Sequence, residues 1–109
     1  MTRNNLGEFE RMVLLAVLQL GDAAFGTPIA EELEVRAGRE VSRGALYSSL
    51  DRLEKKGLLR WEVGAATSER GGQPKRRFEV TPTGVEALRH ADEAWRAMTD
   101  GLEDVLRRA

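Results

Sequence analysis

One side of a predicted helix within residues 41–59 carries small, polar and basic residues, while three leucines line the other side. The residues on that side or at its edges are Ser42, Arg43, Gly44, Tyr47, Ser48, Arg52, Lys55 and Lys56. Small residues let a backbone approach closely, polar tips reach the edges of bases, and Arg and Lys bind phosphates. We therefore predict a helix that enters the major groove of double-stranded DNA. The alternative is an ordinary amphipathic helix with a solvated charged face.

A second basic group follows that helix. Residues 59–63 and 78–80 alternate apolar with charged side chains, which is the period of half-buried strands. The segment between them, GAATSERGGQPKRR, is rich in Gly and basic towards its end, so we predict a β-hairpin with a long tip. Its basic residues, placed to lie along a phosphate backbone or in a minor groove, are Arg70, Lys75, Arg76 and Arg77. A solvated basic loop is the alternative.

No group of residues suits catalysis or metal binding. His90 is the only histidine and falls on the polar side of the last predicted helix. The GGQP sequence lacks the spacing and the lysine of a phosphate-binding loop. The acidic pairs at residues 31–32 and 92–93 are adjacent on helices and point apart. With no cysteine present, we expect no enzyme, no metal site and no cofactor.

The charge is distributed unevenly along the chain of 109 residues, whose net charge is −1. Residues 39–77 hold ten Lys/Arg and five Asp/Glu, a net of +5, so the remainder is acidic. A basic patch on an acidic body can bind nucleic acid locally. The longest apolar run, residues 13–18, is too short to span a membrane. Because Glu8 and Glu10 stand where a signal peptide would be positive, we predict a cytoplasmic protein.

Two further helices must position the predicted reading helix. Asn5 with Glu8 forms a capping-box pattern for the first helix. Thr27 is the predicted N-cap of the second, with Pro28 at its first position. Ser42 then caps the third helix after a short turn, which is helix-turn-helix spacing.

The first helix is apolar on both sides, because Leu14, Leu15 and Leu18 lie opposite its main apolar face. Such a helix is buried on more than one side. We expect a partner surface there. Coverage by a later helix of the same chain is the alternative.

The last helix is predicted to follow the Thr81-Pro82 cap as one continuous segment over residues 83–108, roughly 37 Å long at 1.5 Å per residue. Apolar residues recur along it at alternating spacings of three and four, which is typical of a helix–helix seam. We predict a homodimer through this seam and the first helix, with an interface of Leu14, Leu18, Leu88, Ala91, Trp95, Met98, Leu102 and Val105.

The chain resembles the PadR family of bacterial transcriptional regulators over nearly its whole length. The resemblance is carried by GALY at residues 44–47, Leu50, LE at 53–54, GLL at 57–59, RRF at 76–78 and VTPTG at 80–84. It implies an α+β, mostly α fold, with a winged helix-turn-helix over residues 1–82 and a C-terminal dimerisation helix over residues 83–109. Phe78 departs from the family pattern, in which tyrosine is usual.

The resemblance also implies a function: a homodimeric DNA-binding regulator, most simply a repressor. Because a two-fold dimer places two identical reading helices on the DNA, we expect an inverted-repeat operator. Some short members of the family bind planar drugs between tryptophans of their dimerisation helices. Trp95 is therefore a candidate site for a small planar apolar effector, with simple packing across the dimer as the alternative. A winged-helix protein-interaction module that never binds DNA is the alternative function.

Overall fold

The computed structural model describes residues 6–64 and 75–108, which form six regular elements and one short terminal helix. The helices and strands, in chain order, are α1 (Glu8–Leu20), α2 (Gly26–Ala37), α3 (Arg43–Lys55), β1 (Leu59–Val63), β2 (Arg76–Val80), α4 (Pro82–Thr99) and α5 (Glu103–Arg108). A single 3₁₀ turn over Gly21–Ala23 connects α1 to α2. The predicted fold class is confirmed, since a mostly helical chain carries one two-stranded antiparallel sheet.

The N-terminus of α1 differs from its prediction. The helix begins at Glu8, and the backbone N–H of Gly7 donates to Glu10 Oε1 over 3.1 Å. Gly7 therefore takes the N-cap position that we assigned to Asn5, which lies outside the described residues. An acidic side chain three residues into the helix still satisfies a backbone donor, so the capping-box logic holds two residues further along.

The start of α3 is confirmed and the start of α2 is not. Ser42 Oγ accepts from the backbone N–H of Ala45 over 3.1 Å, as an N-cap should. The second helix begins at Gly26 with Phe25 at its N-cap, so Thr27 lies inside the first turn rather than before it. The helix-turn-helix spacing is unchanged by this shift.

The two strands pair as predicted. Leu59 lies opposite Val80, Trp61 opposite Phe78 and Val63 opposite Arg76, so the register runs through the whole of both strands. On its other edge β2 donates the Phe78 N–H to the carbonyl of Ala24 over 2.9 Å. This bond attaches the hairpin to the segment that precedes α2.

One core joins all the elements up to the middle of α4. It contains buried side chains from α1, α2, α3, the turn before β1, both strands and α4, among them Val13, Leu14, Val17, Ile29, Leu33, Leu46, Leu50, Leu53, Leu58, Leu59, Phe78, Val80, Ala87 and Leu88. Leu14 is fully buried and Leu88 is 8% exposed within this single chain. Both residues were predicted to lie in a dimer interface, and that assignment is corrected, because both belong to the core of this chain, in which α1 contacts α2, α3, β2 and α4. Leu15 and Leu18, by contrast, remain about half exposed.

The predicted continuous last helix is wrong. After Thr99 the chain turns through Asp100 and Gly101, and α5 begins at Glu103. Gly101 adopts φ +85°, a left-handed conformation that a helix interior does not allow and that glycine adopts without strain. The Thr99 hydroxyl donates back to the Trp95 carbonyl over 2.9 Å at this end of the helix.

The first half of α4 is fastened to the core. Thr81 caps the helix as predicted, its Oγ1 accepting from the Gly84 N–H over 3.0 Å and donating to the Gly57 carbonyl over 2.7 Å. A Cβ on Gly84 would overlap the carbonyl oxygen of Leu58, so glycine is required for this close approach. The predicted boundary at residue 82 thus separates segments that share one core.

Candidate nucleic-acid interface

The reading face predicted on α3 is exposed at the start of the helix. Leu46, Leu50 and Leu53 are buried against the core, which turns the opposite side of the helix outward. The exposed residues of that side are Ser42, Arg43, Gly44, Ser48, Arg52 and Lys55. A Cβ on Gly44 would meet no atom of the described residues within 4 Å, so no contact with residues 6–64 or 75–108 requires glycine there. Because glycine has no side chain, it would let another molecule approach the α3 backbone closely at Gly44.

Tyr47 has a packing role that its sequence position did not reveal. Its side chain is half-buried and lies against the backbone of Gly26, where a Cβ would overlap the tyrosine hydroxyl and stand 2.8 Å from Cζ. Because Gly26 is the first residue of α2, this contact sets how closely α2 and α3 approach. Its predicted DNA contact stays a prediction.

Glu10 forms ion pairs with two of the cations that we predicted to bind phosphate, Arg52 and Lys56. Its carboxylate lies 3.0 Å from Lys56 Nζ and 3.4 Å from Arg52 Nε, and its own side chain is only 13% exposed. Burial raises the pKa of Glu10, but the Gly7 N–H, the Lys56 hydrogen bond and the Lys56 and Arg52 charges outweigh burial. The pKa of Glu10 is therefore held below its ordinary value of 4.5. These contacts fasten the start of α1 to the end of α3.

Strand alternation separates the basic residues of the hairpin. Arg77 and its cross-strand partner Glu62 share one side of the sheet, and Arg77 Nη2 lies 2.9 Å from that carboxylate. Its Nη1 also lies 3.3 Å from Asp22 Oδ1. Arg76 faces the opposite side, towards α3, and pairs with Asp51 over 3.6 Å. Since successive side chains of a strand point to opposite faces, the run of basic residues cannot act as one surface.

The remaining hairpin cations differ in what the structure shows. Lys75 is exposed next to the start of β2. Arg70 lies outside the described residues. Within residues 6–64 and 75–108, no carboxylate lies within 4.0 Å of the side-chain nitrogens of Arg43, Lys55 or Lys75. Among the described residues that we predicted to bind DNA, these three are therefore the cations without a carboxylate partner.

Acidic side chains gather close to Arg43. They line a groove between α2 and the start of α3, into which Tyr47 also faces, and they are Glu31, Glu34 and Glu40. Helical spacing alone did not indicate this neighbourhood, because Glu40 belongs to the turn and the other two belong to another helix.

A second exposed surface lies at the far end of α4. The exposed fraction of its seam residues rises from 8% at Leu88 to 57% at Trp95 and 78% at Met98, as the helix leaves the core. Arg11 of α1 covers part of Trp95, with its guanidinium carbon 5.5 Å from the ring centroid. The exposed large apolar side chains of α1, of the second half of α4, of the turn that follows it and of α5 form what we call the apolar set. Its members are Leu15, Leu18, Trp95, Met98, Leu102, Val105 and Leu106.

The architecture is that of a winged helix-turn-helix DNA-binding regulator: two helices in sequence, the second exposed, followed by a β-hairpin. Comparison with protein-family models matches residues 14–90 to the transcriptional regulator PadR-like family. The chain belongs to this family of transcriptional regulators, which are DNA-binding regulators rather than enzymes.

Solved structures have a similar fold. A PadR family transcriptional regulator of Eggerthella lenta is 29% identical, with a TM-score of 0.67 over 91% of this chain and 86% of that one. A PadR-like transcriptional regulator of Bacillus cereus is 21% identical, with a TM-score of 0.72 over 90% of each chain. Comparison with curated proteins gave no significant match. Among the described residues, no helix is both long and apolar enough to cross a bilayer.

Proposed function

We propose that the protein is a cytoplasmic homodimeric repressor that binds an inverted-repeat operator. The observation that carries this proposal is the pairing of two exposed surfaces: the α3 face beside the hairpin, and the apolar set at the far end of α4. The first suits a major groove and the second suits a second copy of the chain. A protein-interaction module without DNA binding is disfavoured by membership of a family of DNA-binding regulators.

Base edges would be contacted from the start of α3 by Arg43 and Ser48, where Ser42 and Gly44 allow close approach. Lys55 and Lys75 would bind phosphates first, because no described carboxylate pairs with them. Arg52 and Lys56 would bind phosphates by exchanging the Glu10 carboxylate for a phosphate oxygen. Arg70, outside the described residues, is a further candidate phosphate contact.

Dimerisation would follow from the apolar set. Exposed apolar surface of this kind is buried favourably against an identical copy. A two-fold dimer places its reading helices about 34–36 Å apart, one turn of DNA, when both contact adjacent major grooves. An inverted repeat is the operator that matches this symmetry.

The test is footprinting and gel shift on the DNA upstream of the protein's own gene, repeated over a range of salt concentrations. If two subunits neutralise about six phosphates, the log–log slope of affinity against salt should be near −5. Arg43→Ala should reduce discrimination between operator and random DNA, whereas Lys75→Ala should weaken both alike. A slope near zero, or a chain that protects no DNA, would contradict the proposal.

Trp95 is proposed as the effector site of the same dimer. The residue is 57% exposed, and planar apolar molecules stack well on indole. A ligand between the subunits would lower operator affinity if it favoured a spacing of the reading helices that DNA cannot accept.

Planar aromatic compounds should then quench tryptophan fluorescence at micromolar concentrations, about −8 kcal/mol of binding. Trp95→Ala should abolish that binding while the dimer persists. Quenching that survives in Trp95→Ala would exclude this site. A dimer that dissociates on mutation, with no quenching by a varied panel, would identify Trp95 as packing across the interface.

A further inference from the structure

Arg76 of the hairpin lies over three aromatic rings. Its guanidinium carbon lies 5.1 Å from the ring centroid of Trp61, 5.5 Å from that of Tyr47 and 5.6 Å from that of Phe78. Trp61 belongs to β1, Phe78 to β2 and Tyr47 to α3. One side chain thus contacts both strands of the hairpin and the helix beside them.

A carboxylate completes the site. Asp51 Oδ1 lies 3.6 Å from Arg76 Nη1, and Asp51 stands one helical turn after Tyr47 on α3. Tyr47 and Asp51 therefore lie on the same side of α3, and both contact the Arg76 guanidinium. The Arg76 side chain is only 34% exposed, although the residue lies at the very start of β2.

Arginine suits this position better than lysine for a physical reason. A planar guanidinium can stack on aromatic rings while its edge bonds a carboxylate, whereas an ammonium is a compact, strongly hydrated point charge. A phosphate contact does not need the aromatic stacking, and lysine can make it as a point charge.

We propose that Arg76 is a positioning residue that couples the hairpin to α3 and so fixes the orientation of the wing relative to the reading helix. This inference rests on the proposed DNA-binding function. It assigns the phosphate contact at this end of the hairpin to Lys75, whose exposed side chain is paired with no described carboxylate. Arg77, on the other side of the sheet, is held by Glu62 and Asp22.

The test compares Arg76→Lys with Lys75→Gln in the full-length chain. Arg76→Lys keeps the charge and removes the stacking, so operator affinity should fall about tenfold while the salt slope stays unchanged. Its footprint should lose the flanks contacted by the wing and keep the centre contacted by α3, a pattern that a smaller folded fraction would not produce. Lys75→Gln should instead lower the slope by about two per dimer, one phosphate for each subunit.

A measurement without DNA separates this inference from the proposed function. The Gly64 N–H donates to the Lys75 carbonyl over 2.7 Å at the end of the hairpin, and its hydrogen exchange reports whether the hairpin is held. Arg76→Lys should accelerate that exchange at least fivefold, on the order of one cation–π contact, and Lys75→Gln should leave it unchanged. Asp51→Asn, which removes the ion pair and keeps the rings, should give an intermediate rate.

Two results would overturn the inference. One is an Arg76→Lys protein with the affinity, footprint and Gly64 exchange of the wild type. The other is an Arg76→Gln protein that loses salt slope as Lys75→Gln does while its Gly64 exchange is unchanged. If the wild type protected no DNA, the proposed function would fail, and the exchange rates would still decide whether Arg76 holds the hairpin.

Discussion

The α3–hairpin region and the far end of α4 expose different chemistry to solvent: mostly paired charges in the first and apolar side chains in the second. In the first, most of the charge is already matched: Glu10 pairs with Arg52 and Lys56, Asp51 with Arg76, and Glu62 with Arg77. In the second, Trp95 and Met98 are exposed by 57% and 78%, and the Arg11 guanidinium covers part of the indole.

The difference concerns what each surface gains from a partner. A cation that is already paired with a carboxylate must give up that ion pair to bind a phosphate. The binding free energy it contributes is only the difference between the two ion pairs, so we expect such contacts to change DNA affinity little. An exposed apolar side chain gains its full burial on association. We therefore expect the α4 end to dominate assembly, and the α3–hairpin region to be organised from within the chain.

The largest expected effect is on assembly. Met98→Glu places a carboxylate in the proposed interface, where burying an unpaired charge costs several kcal/mol, so the dimer dissociation constant should rise at least about a hundredfold. Sedimentation equilibrium measures this. Val35→Glu is the matched control, because Val35 is 86% exposed on α2 and lies outside the apolar set. If Met98→Glu and the wild type had the same dimer dissociation constant, the proposal that the apolar set forms the interface would be contradicted.

A smaller effect is expected where α2 meets α3. Gly26→Ala forces the Tyr47 ring to move, so the free energy of unfolding should fall by about 1–3 kcal/mol. Gly44→Ala is the control in the same motif. Its Cβ meets no atom within 4 Å in the part of the chain that the structure describes, and alanine should stabilise the helix by up to about 1 kcal/mol. Urea unfolding compares the two variants.

A double-mutant cycle isolates the Gly26–Tyr47 contact. In a Tyr47→Ala background the added Cβ meets no ring, so the cost of Gly26→Ala should disappear. A cost that persists there would assign the effect to the backbone of α2 rather than to the packing of Tyr47.

The smallest expected effect is the pH dependence of the Glu10 contacts. Because the folded state lowers the pKa of Glu10 below 4.5, its contribution to stability is present above that pH and is lost as the pH falls through the folded value. Glu10→Gln should therefore lose less stability than the wild type between about pH 6 and pH 3, by less than about 1 kcal/mol since Arg52 is 54% exposed. Chemical denaturation at several pH values measures the difference.

Glu8→Gln, which removes the same charge from the same helix at a side chain 71% exposed, controls for net charge. Identical pH curves for wild type and Glu10→Gln would show that Arg52 and Lys56 do not stabilise the folded state through this carboxylate.

Local signals determined most of the fold from the sequence. Ser42 caps α3 because a hydroxyl beside free backbone N–H groups satisfies one of them wherever the rest of the chain lies. The leucine spacing of α3 and the period-two strands likewise identified which side of each element is buried. Motifs over residues 44–59 and 76–84 indicated the family that the comparison over residues 14–90 shows.

Only the tertiary structure decided which side chains pack or form ion pairs within the chain itself. Leu14 and Leu88 belong to the core, Tyr47 packs on Gly26, and Glu10 reaches Lys56 across 46 positions of the chain. The break at Gly101 was missed because an apolar spacing of three and four continues through a residue that can leave the helix without strain. Periodicity reports which faces are apolar, whereas the partner of a given face or charge depends on contacts between residues distant in sequence, which one-dimensional spacing does not encode.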